Sequence, residues 1–223
     1  MQTLALAAAK GGVGKTTIAA AMCAAAPITD PGASVGLVDL DPQGSATRWW
    51  NDRRRPSPIH ISVSREPLGQ VSRRARCDGR TLLVLDCPPG FSDITLEAIK
   101  AADLVLIPTG ASELDLTAIG ATVNMARWAG KPYRLVLNRV VFRSRLAGKA
   151  VTTLRAAGEL FMPPVHQRVA VAAAMTTGAT ALETEPHGAA ARELMALWGA
   201  VRATLGAAPV TLFPEDFRRG RAW

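Results

Sequence analysis

Only three cysteines occur among the 223 residues, Cys23, Cys77 and Cys87, and no two stand in a CxxC spacing. That argues against a zinc ribbon, a disulfide framework or an iron–sulfur scaffold, and it fits a reduced, cytoplasmic setting. Histidine is equally scarce. His60, His166 and His187 lie far apart and form no HExxH, so no zinc site is expected. Neither Ser45 nor Ser92 sits in a GxSxG elbow. No apolar run approaches the ~20 residues that a membrane span needs. The apolar start, Met1 to Ala9, has no leading basic cluster and runs into a glycine motif, so it does not read as a signal peptide. Acidic residues are outnumbered, 18 against 26 basic ones, for a net charge of +8, and only five of the bases are lysines. Such a domain is attracted to polyanions, nucleic acid or an anionic membrane surface. An arginine- and alanine-rich proteome is the alternative source of the same excess.

Hydrophobic residues make up 48% of the chain and charged ones 20%, enough for a packed core. The length suits one domain with a short appendage. Strand-like runs fall at Leu4–Ala8, Val35–Asp39, Ile59–Val63, Leu82–Asp86, Leu104–Pro108 and Arg134–Asn138, with helix-compatible stretches between most of them. Four of these runs are nearly continuous Val, Leu and Ile, the pattern of strands buried on both faces. The expected fold is therefore α/β, a doubly wound, mostly parallel sheet flanked by helices. Asn51–Arg55, followed by Pro56 and Pro58, reads as an exposed loop. The domain is expected over residues 1–206, with 207–223 (Pro209, Pro214, Gly220) as a tail or short docked helix.

The strongest chemical signal is Lys10-Gly11-Gly12-Val13-Gly14-Lys15-Thr16-Thr17, between a strand and an Ala-rich helix expected over Thr17–Ala25. Glycines let the loop turn so that backbone N–H groups face phosphate oxygens, and the helix N-terminus adds its dipole. Lys15 then reaches the β- and γ-phosphates and the Thr16 hydroxyl serves Mg²⁺. Two acidic segments follow. Val35–Asp39 delivers Asp39 and Asp41 at the carboxyl end of a strand, on one side of an extended chain; Asp-Pro-x-Gly is also a common surface turn. Leu82–Asp86 ends in a carboxylate placed to hold Mg²⁺, in a Walker B strand running into Cys87-Pro88-Pro89-Gly90. Cys87 has no nearby base in sequence and reads as a buried filler. Trp49 and Trp50 read as closing a helix on the core.

KGGVGKTT resembles the deviant Walker A motif of the ParA/MinD ATPases, a P-loop NTPase type, and DLDPQGSAT and DCPPG resemble that family's later motifs. The likeness covers roughly residues 2 to 205. It implies ATP and Mg²⁺ as cofactors, with Gly11, Gly12, Val13, Gly14, Lys15, Thr16 and Thr17 around the phosphates. It implies that Lys10 reaches the partner's phosphates across a nucleotide-sandwich homodimer, that Asp41 orients the attacking water, and that Asp39 supports the Mg²⁺ and Thr16 shell. Asn138, after a buried strand, resembles the adenine-recognising position. Arg143, Arg145 and Lys149, with Arg168, Arg192 and Arg202, fall where the family places non-specific DNA contacts.

The resemblance thus implies a slow ATPase that binds non-specific DNA in its ATP state and segregates DNA or positions other cargo, in the cytoplasm at the nucleoid. A ParB-like centromere-binding protein or another adaptor would stimulate hydrolysis. No room is expected upstream of the phosphate loop for a helix-turn-helix. The alternative is a MinD-like membrane-cycling ATPase using the tail, where Phe213 and Phe217 stand among basic residues but Pro214 and Gly220 interrupt a helix. A metabolic enzyme on the same fold is a third reading.

Overall fold

The computed structural model describes residues 1–63 and 66–206. The tail expected over 207–223 lies outside the described residues. Seven parallel strands form one sheet in the order β3-β2-β4-β1-β5-β6-β7. These are β1 (Gln2–Ala8), β2 (Val35–Asp39), β3 (Ile59–His60), β4 (Leu82–Pro89), β5 (Leu104–Thr109), β6 (Tyr133–Leu137) and β7 (Leu160–Phe161). The helices are α1 (Lys15–Thr29), α2 (Ser45–Asp52), α3 (Leu68–Cys77), α4 (Asp93–Ala101), α5 (Glu113–Trp128), α6 (Arg145–Ala157), α7 (Val169–Met175), α8 (Ala181–Thr184) and α9 (Ala189–Thr204). The doubly wound sheet flanked by helices is as the sequence pattern implies.

Strand alternation splits the core in two. Leu4 and Leu6 of β1, with Leu37, Val84 and Leu106, face α1, α2 and α9. Ala5 and Ala7, with Val38, Leu85 and Ile107, face the layer of α3, α4, α5 and α6. With both faces covered, the strands need no polar side, which is why their sequences are unbroken apolar runs. Helix α1 lies deepest, with Ile18 to Ala26 all buried. Small side chains let it press against β1, β2 and β4, so its alanines are a packing requirement.

Four expectations need correction. Helix α1 continues past Ala25, through Pro27, to Thr29. The Thr29 hydroxyl donates to the Ala25 and Ala26 carbonyls and accepts from Trp198 Nε1 at 2.9 Å, which ties the last turn to α9. The third strand shrinks from Ile59–Val63 to two residues at the sheet edge. Strand β7 was not foreseen, being two residues long and defined only by pairing with β6. Asn51–Arg55 is only partly an exposed loop: Asn51 and Asp52 end α2, and the Arg53 side chain is 3% exposed against Glu183 at 2.6 Å.

The register carries the functional consequence. Strand β4 lies between β1 and β2, with Asp86 opposite Leu6 on one side and Asp39 on the other. The loop after β1 and the acidic ends of β2 and β4 therefore meet at one edge of the sheet, where ligands of open α/β sheets bind.

Candidate functional site

The loop from Lys10 to Gly14 joins β1 to α1, and Gly14 caps the helix at φ +96°. That backbone favours glycine, and a Cβ there would also collide with the Asn138 amide. Beside the loop opens a cleft of about 490 Å³. Gly11, Gly12, Gly14, Lys15, Thr16 and Thr17 line one wall, and Asp41, Ser45, Arg48, Trp49 and Asp52 the other, with Pro89 and Met175 at its margins. The size and the few convergent polar groups suit one nucleotide-sized ligand.

Lys15 is 7% exposed. Burial pulls its ammonium below the ordinary lysine range, against the attraction of Asp86 and Asp41. The Thr16 hydroxyl donates to Asp86 Oδ2 at 2.6 Å. Asp86 is 1% exposed, and its other oxygen, Oδ1, is buried without a hydrogen-bond partner. Burial, opposed by the Thr16 hydroxyl, pushes its carboxyl up to about 7. An unpartnered buried carboxylate oxygen beside a hydroxyl is a donor set that a hard divalent cation completes. Among the described residues, no group of three or more His, Cys, Asp or Glu could hold a metal ion. Thr16 and Asp86 would supply two oxygens to Mg²⁺, an ion that ordinarily takes few protein ligands beside water and phosphate.

Asp39 stands beside Asp86 in the sheet register, and its oxygens face Thr47 and Asp41. Its Oδ2 accepts from Thr47 N at 2.7 Å and from the Thr47 hydroxyl at 2.9 Å, and its Oδ1 from Asp41 N at 3.1 Å. It braces the start of α2 and makes no hydrogen bond with Thr16, whose partner is Asp86. Asp41 forms a tight turn, its Oδ1 accepting from Gln43 N at 2.9 Å, and lines the cleft. Asn138 is 4% exposed, and its amide nitrogen donates to the Val13 carbonyl at 2.8 Å.

Lys10 leaves the loop on the other side and pairs with Asp115 at 2.5 Å. Asp115 is the third residue of α5 in a capping box with Ser112. Burial pushes the Asp115 carboxyl up, but hydrogen bonds from Lys10 and Ser112 outweigh it and hold it low. The sequence reading missed Asp115, although Ser-x-x-Asp after a strand is a readable helix start. It also missed Arg48, Asp52 and Met175 in the cleft, which no local pattern marks.

The basic candidates do not stand as one set. Arg143, Arg145 and Lys149 are exposed, and Arg145 and Lys149 share one face of α6 by their spacing. The Arg143 guanidinium lies 5.4 Å from the Phe142 ring centre. Arg168 instead pairs with buried Glu193 at 2.6 Å. Arg192 is exposed and donates to the His187 carbonyl, and Arg202 is half-buried in the last turn of α9. Trp49 and Trp50 both pack, donating to the Ala179 and Pro58 carbonyls. Cys87 is fully buried, and burial pushes its thiol up, away from nucleophilic use.

Residues 4–181 match the CobQ/CobB/MinD/ParA nucleotide binding domain. The chain belongs to this family. Among its relatives, the maintenance of carboxysome distribution protein A of Halothiobacillus neapolitanus is 31% identical over 200 residues, covering 86% of this chain and 91% of the relative. The chromosome-partitioning ATPase Soj of Thermus thermophilus is 30% identical over 225 residues, covering 83% and 89%. The septum site-determining protein MinD of Pyrococcus horikoshii, solved with Mg-ADP, superposes with a TM-score of 0.73 at 17% identity, covering 92% and 97%. That likeness fixes the ParA/MinD fold. No helix among the described residues is long and apolar enough to cross a membrane.

Proposed function

We propose that the chain is a ParA-type ATPase that binds ATP with Mg²⁺, dimerises in that state, binds DNA without sequence preference and uses the cycle to position cargo. The observation that carries the reading is the conjunction of Lys15 and Thr16 in the cleft, buried Asp86 hydrogen-bonded behind Thr16, and a second loop lysine, Lys10, held outside the cleft on Asp115. The first three are the parts of any phosphate-loop ATPase. The fourth is a cation that its own cleft does not use.

In this reading the loop N–H groups and Lys15 bind the phosphates, and Thr16 and Asp86 would hold Mg²⁺, which would supply positive charge beside the phosphoryl group. Asp41, at the cleft wall, orients the attacking water. Asp39 keeps Asp41 in place through its N–H and fixes the start of α2 through Thr47. Lys10 exchanges Asp115 for the phosphates of a second copy, so hydrolysis waits for dimerisation. Asp39 as a direct member of the Mg²⁺ shell and Asn138 as an adenine contact stay part of the proposal.

Exposed Arg143, Arg145 and Lys149 supply the DNA surface. A dimer doubles their number on one body, and each neutralised phosphate steepens the salt dependence by roughly 0.9 in log–log slope. The carboxysome-distribution and chromosome-partitioning relatives support a positioning or segregating role; a nucleoid location and an adaptor that stimulates hydrolysis belong to the same proposal. The test is binding to two unrelated duplexes with ADP, with ATP and across a salt series, for wild type and for Arg143→Glu with Arg145→Glu. Binding is expected only with ATP, equal on both duplexes, and lost in the variant while ATP-dependent dimerisation persists. Equal binding with ADP and ATP overturns the switch. ATP-dependent liposome binding without DNA binding favours the membrane-cycling alternative.

A further inference from the structure

Two consecutive residues after β6 grip two consecutive carbonyls of the phosphate loop. The Asn138 amide nitrogen donates to Val13 O at 2.8 Å, and Arg139 Nη1 donates to Gly12 O. Both flanks of this pair are fixed by backbone. Asn138 N donates to Thr109 O at 2.8 Å, Val140 N donates to Val165 O at 3.1 Å, and Val140 O accepts from Gln167 N at 2.9 Å. Between these anchors Arg139 takes φ +56°, in the left-handed region that a long side chain adopts only at a cost. Its side chain is exposed, yet it turns back onto the loop instead of extending into water.

A trans peptide unit is planar, so a carbonyl and the N–H of the following residue point in opposite directions. Holding Gly12 O and Val13 O towards the end of β6 therefore turns the N–H groups of Val13 and Gly14 away from it, and Gly14 itself lines the cleft. A loop this rich in glycine has little preference of its own and would otherwise sample other peptide orientations.

We propose that Asn138 and Arg139 form a two-point clamp that presets the Val13 and Gly14 N–H donors for a phosphate group, and that the strained backbone of Arg139 is kept for this purpose. The proposal rests on the reading of the cleft as a nucleotide phosphate site. Arg139 is a positioning residue, acting through the loop carbonyl. Asn138 acts through the loop in the same way with its amide nitrogen on Val13 O, which leaves its amide oxygen for the adenine contact proposed above.

The variant that separates clamp from scaffold is Arg139→Gly, which removes the guanidinium and relieves the left-handed strain together. Its thermal midpoint is expected to equal or exceed that of wild type, while calorimetric affinity for Mg-ADP falls about tenfold, the scale of one lost charge-assisted hydrogen bond. In the nucleotide-free protein, the Val13 and Gly14 amide resonances are expected to be sharp in wild type and exchange-broadened in Arg139→Gly. Arg139→Lys, which keeps one donor, should recover most of the affinity. Unchanged Mg-ADP affinity in Arg139→Gly overturns the clamp, as does an affinity loss with a lowered midpoint and unaltered Val13 and Gly14 signals. Failure of wild type itself to bind Mg-ADP overturns the nucleotide reading, and the clamp with it.

Discussion

Lys10 and Asp115 stand 2.5 Å apart, the lysine 39% exposed and the carboxylate 16%. The carboxylate also closes the capping box of α5, so the lysine is tethered to the end of a helix, outside the cleft lined by its own loop. To act on a second copy, the pair must open. A half-exposed pair is worth about 0.5–1 kcal/mol, so opening one in each protomer is a small toll on association.

Asp115→Asn removes the charge and keeps an oxygen for the Ser112 cap. It is expected to shift ATP-dependent dimerisation to about tenfold lower protein concentration, from two released pairs. Light scattering across a dilution series measures it. A weaker dimer would mean that Asp115 travels with Lys10 into the interface. Lys10→Ala should keep nucleotide affinity in the monomer and lose the dimer altogether.

Lys15→Ala leaves Asp86 and Asp41 without the buried cation between them. Calorimetric affinity for Mg-ATP is expected to fall by about a hundredfold or more, as when one partner of a buried charge cluster is lost. Wild-type affinity in this variant would exclude the loop as the phosphate site.

Asp86 gives a pH dependence whose sign follows from burial. Its carboxyl is pushed up to about 7, so the folded state holds a proton that the unfolded chain has released. Between about pH 4 and 7 the nucleotide-free protein therefore loses stability as pH rises. Asp86→Asn removes that loss and should be more stable than wild type at pH 8 by on the order of 3 kcal/mol, with the gap closing towards pH 4. Denaturation midpoints at both pH values test this. The variant should also lose the Mg²⁺-dependent part of nucleotide binding. Stability unaffected by the substitution at pH 8 would show that the carboxylate is solvated.

Glu183 is expected to behave oppositely. Burial pushes its carboxyl up, but Arg53 and Thr180 outweigh burial and hold it below the ordinary glutamate range. Its contribution is then complete above that range and is lost as pH falls through the lowered value. Glu183→Gln strands Arg53, 3% exposed, and should cost about 3 kcal/mol at neutral pH. The difference from wild type should narrow in acid, as urea denaturation can follow.

What was legible in the sequence was local. Lys15, Thr16 and the glycines are contiguous, lie between a strand and a helix, and have their chemistry fixed by that spacing. Asp86 was legible because a buried apolar strand ending in Asp has few other uses. Long-range pairing was not legible. Arg53 and Glu183 are 130 residues apart in sequence, and an Arg-rich, Pro-flanked segment carries no sign that one arginine turns inward. Lys10 and Asp115 could each be read singly but not as a pair. The strand-end position of Asp39 was legible, and only the fold shows that its oxygens accept from Thr47 and from Asp41 N. Strand β7, two residues long, has too little sequence to show any period.

Gly178, at φ +67°, packs so closely on the backbone of Asp52 and Arg53 that a Cβ would collide with it. Trp49 donates to the Ala179 carbonyl and Arg53 to the Gly178 carbonyl and the Glu183 carboxylate. Helix α2, which forms one wall of the cleft, is thereby fastened at both backbone and side chain to the turn between α7 and α8. The two segments must turn as one lever. Neither segment can shift alone without breaking the bonds from Trp49 and Arg53 to the Ala179 and Gly178 carbonyls, so the α2 wall of the cleft is as rigid as the turn that holds it.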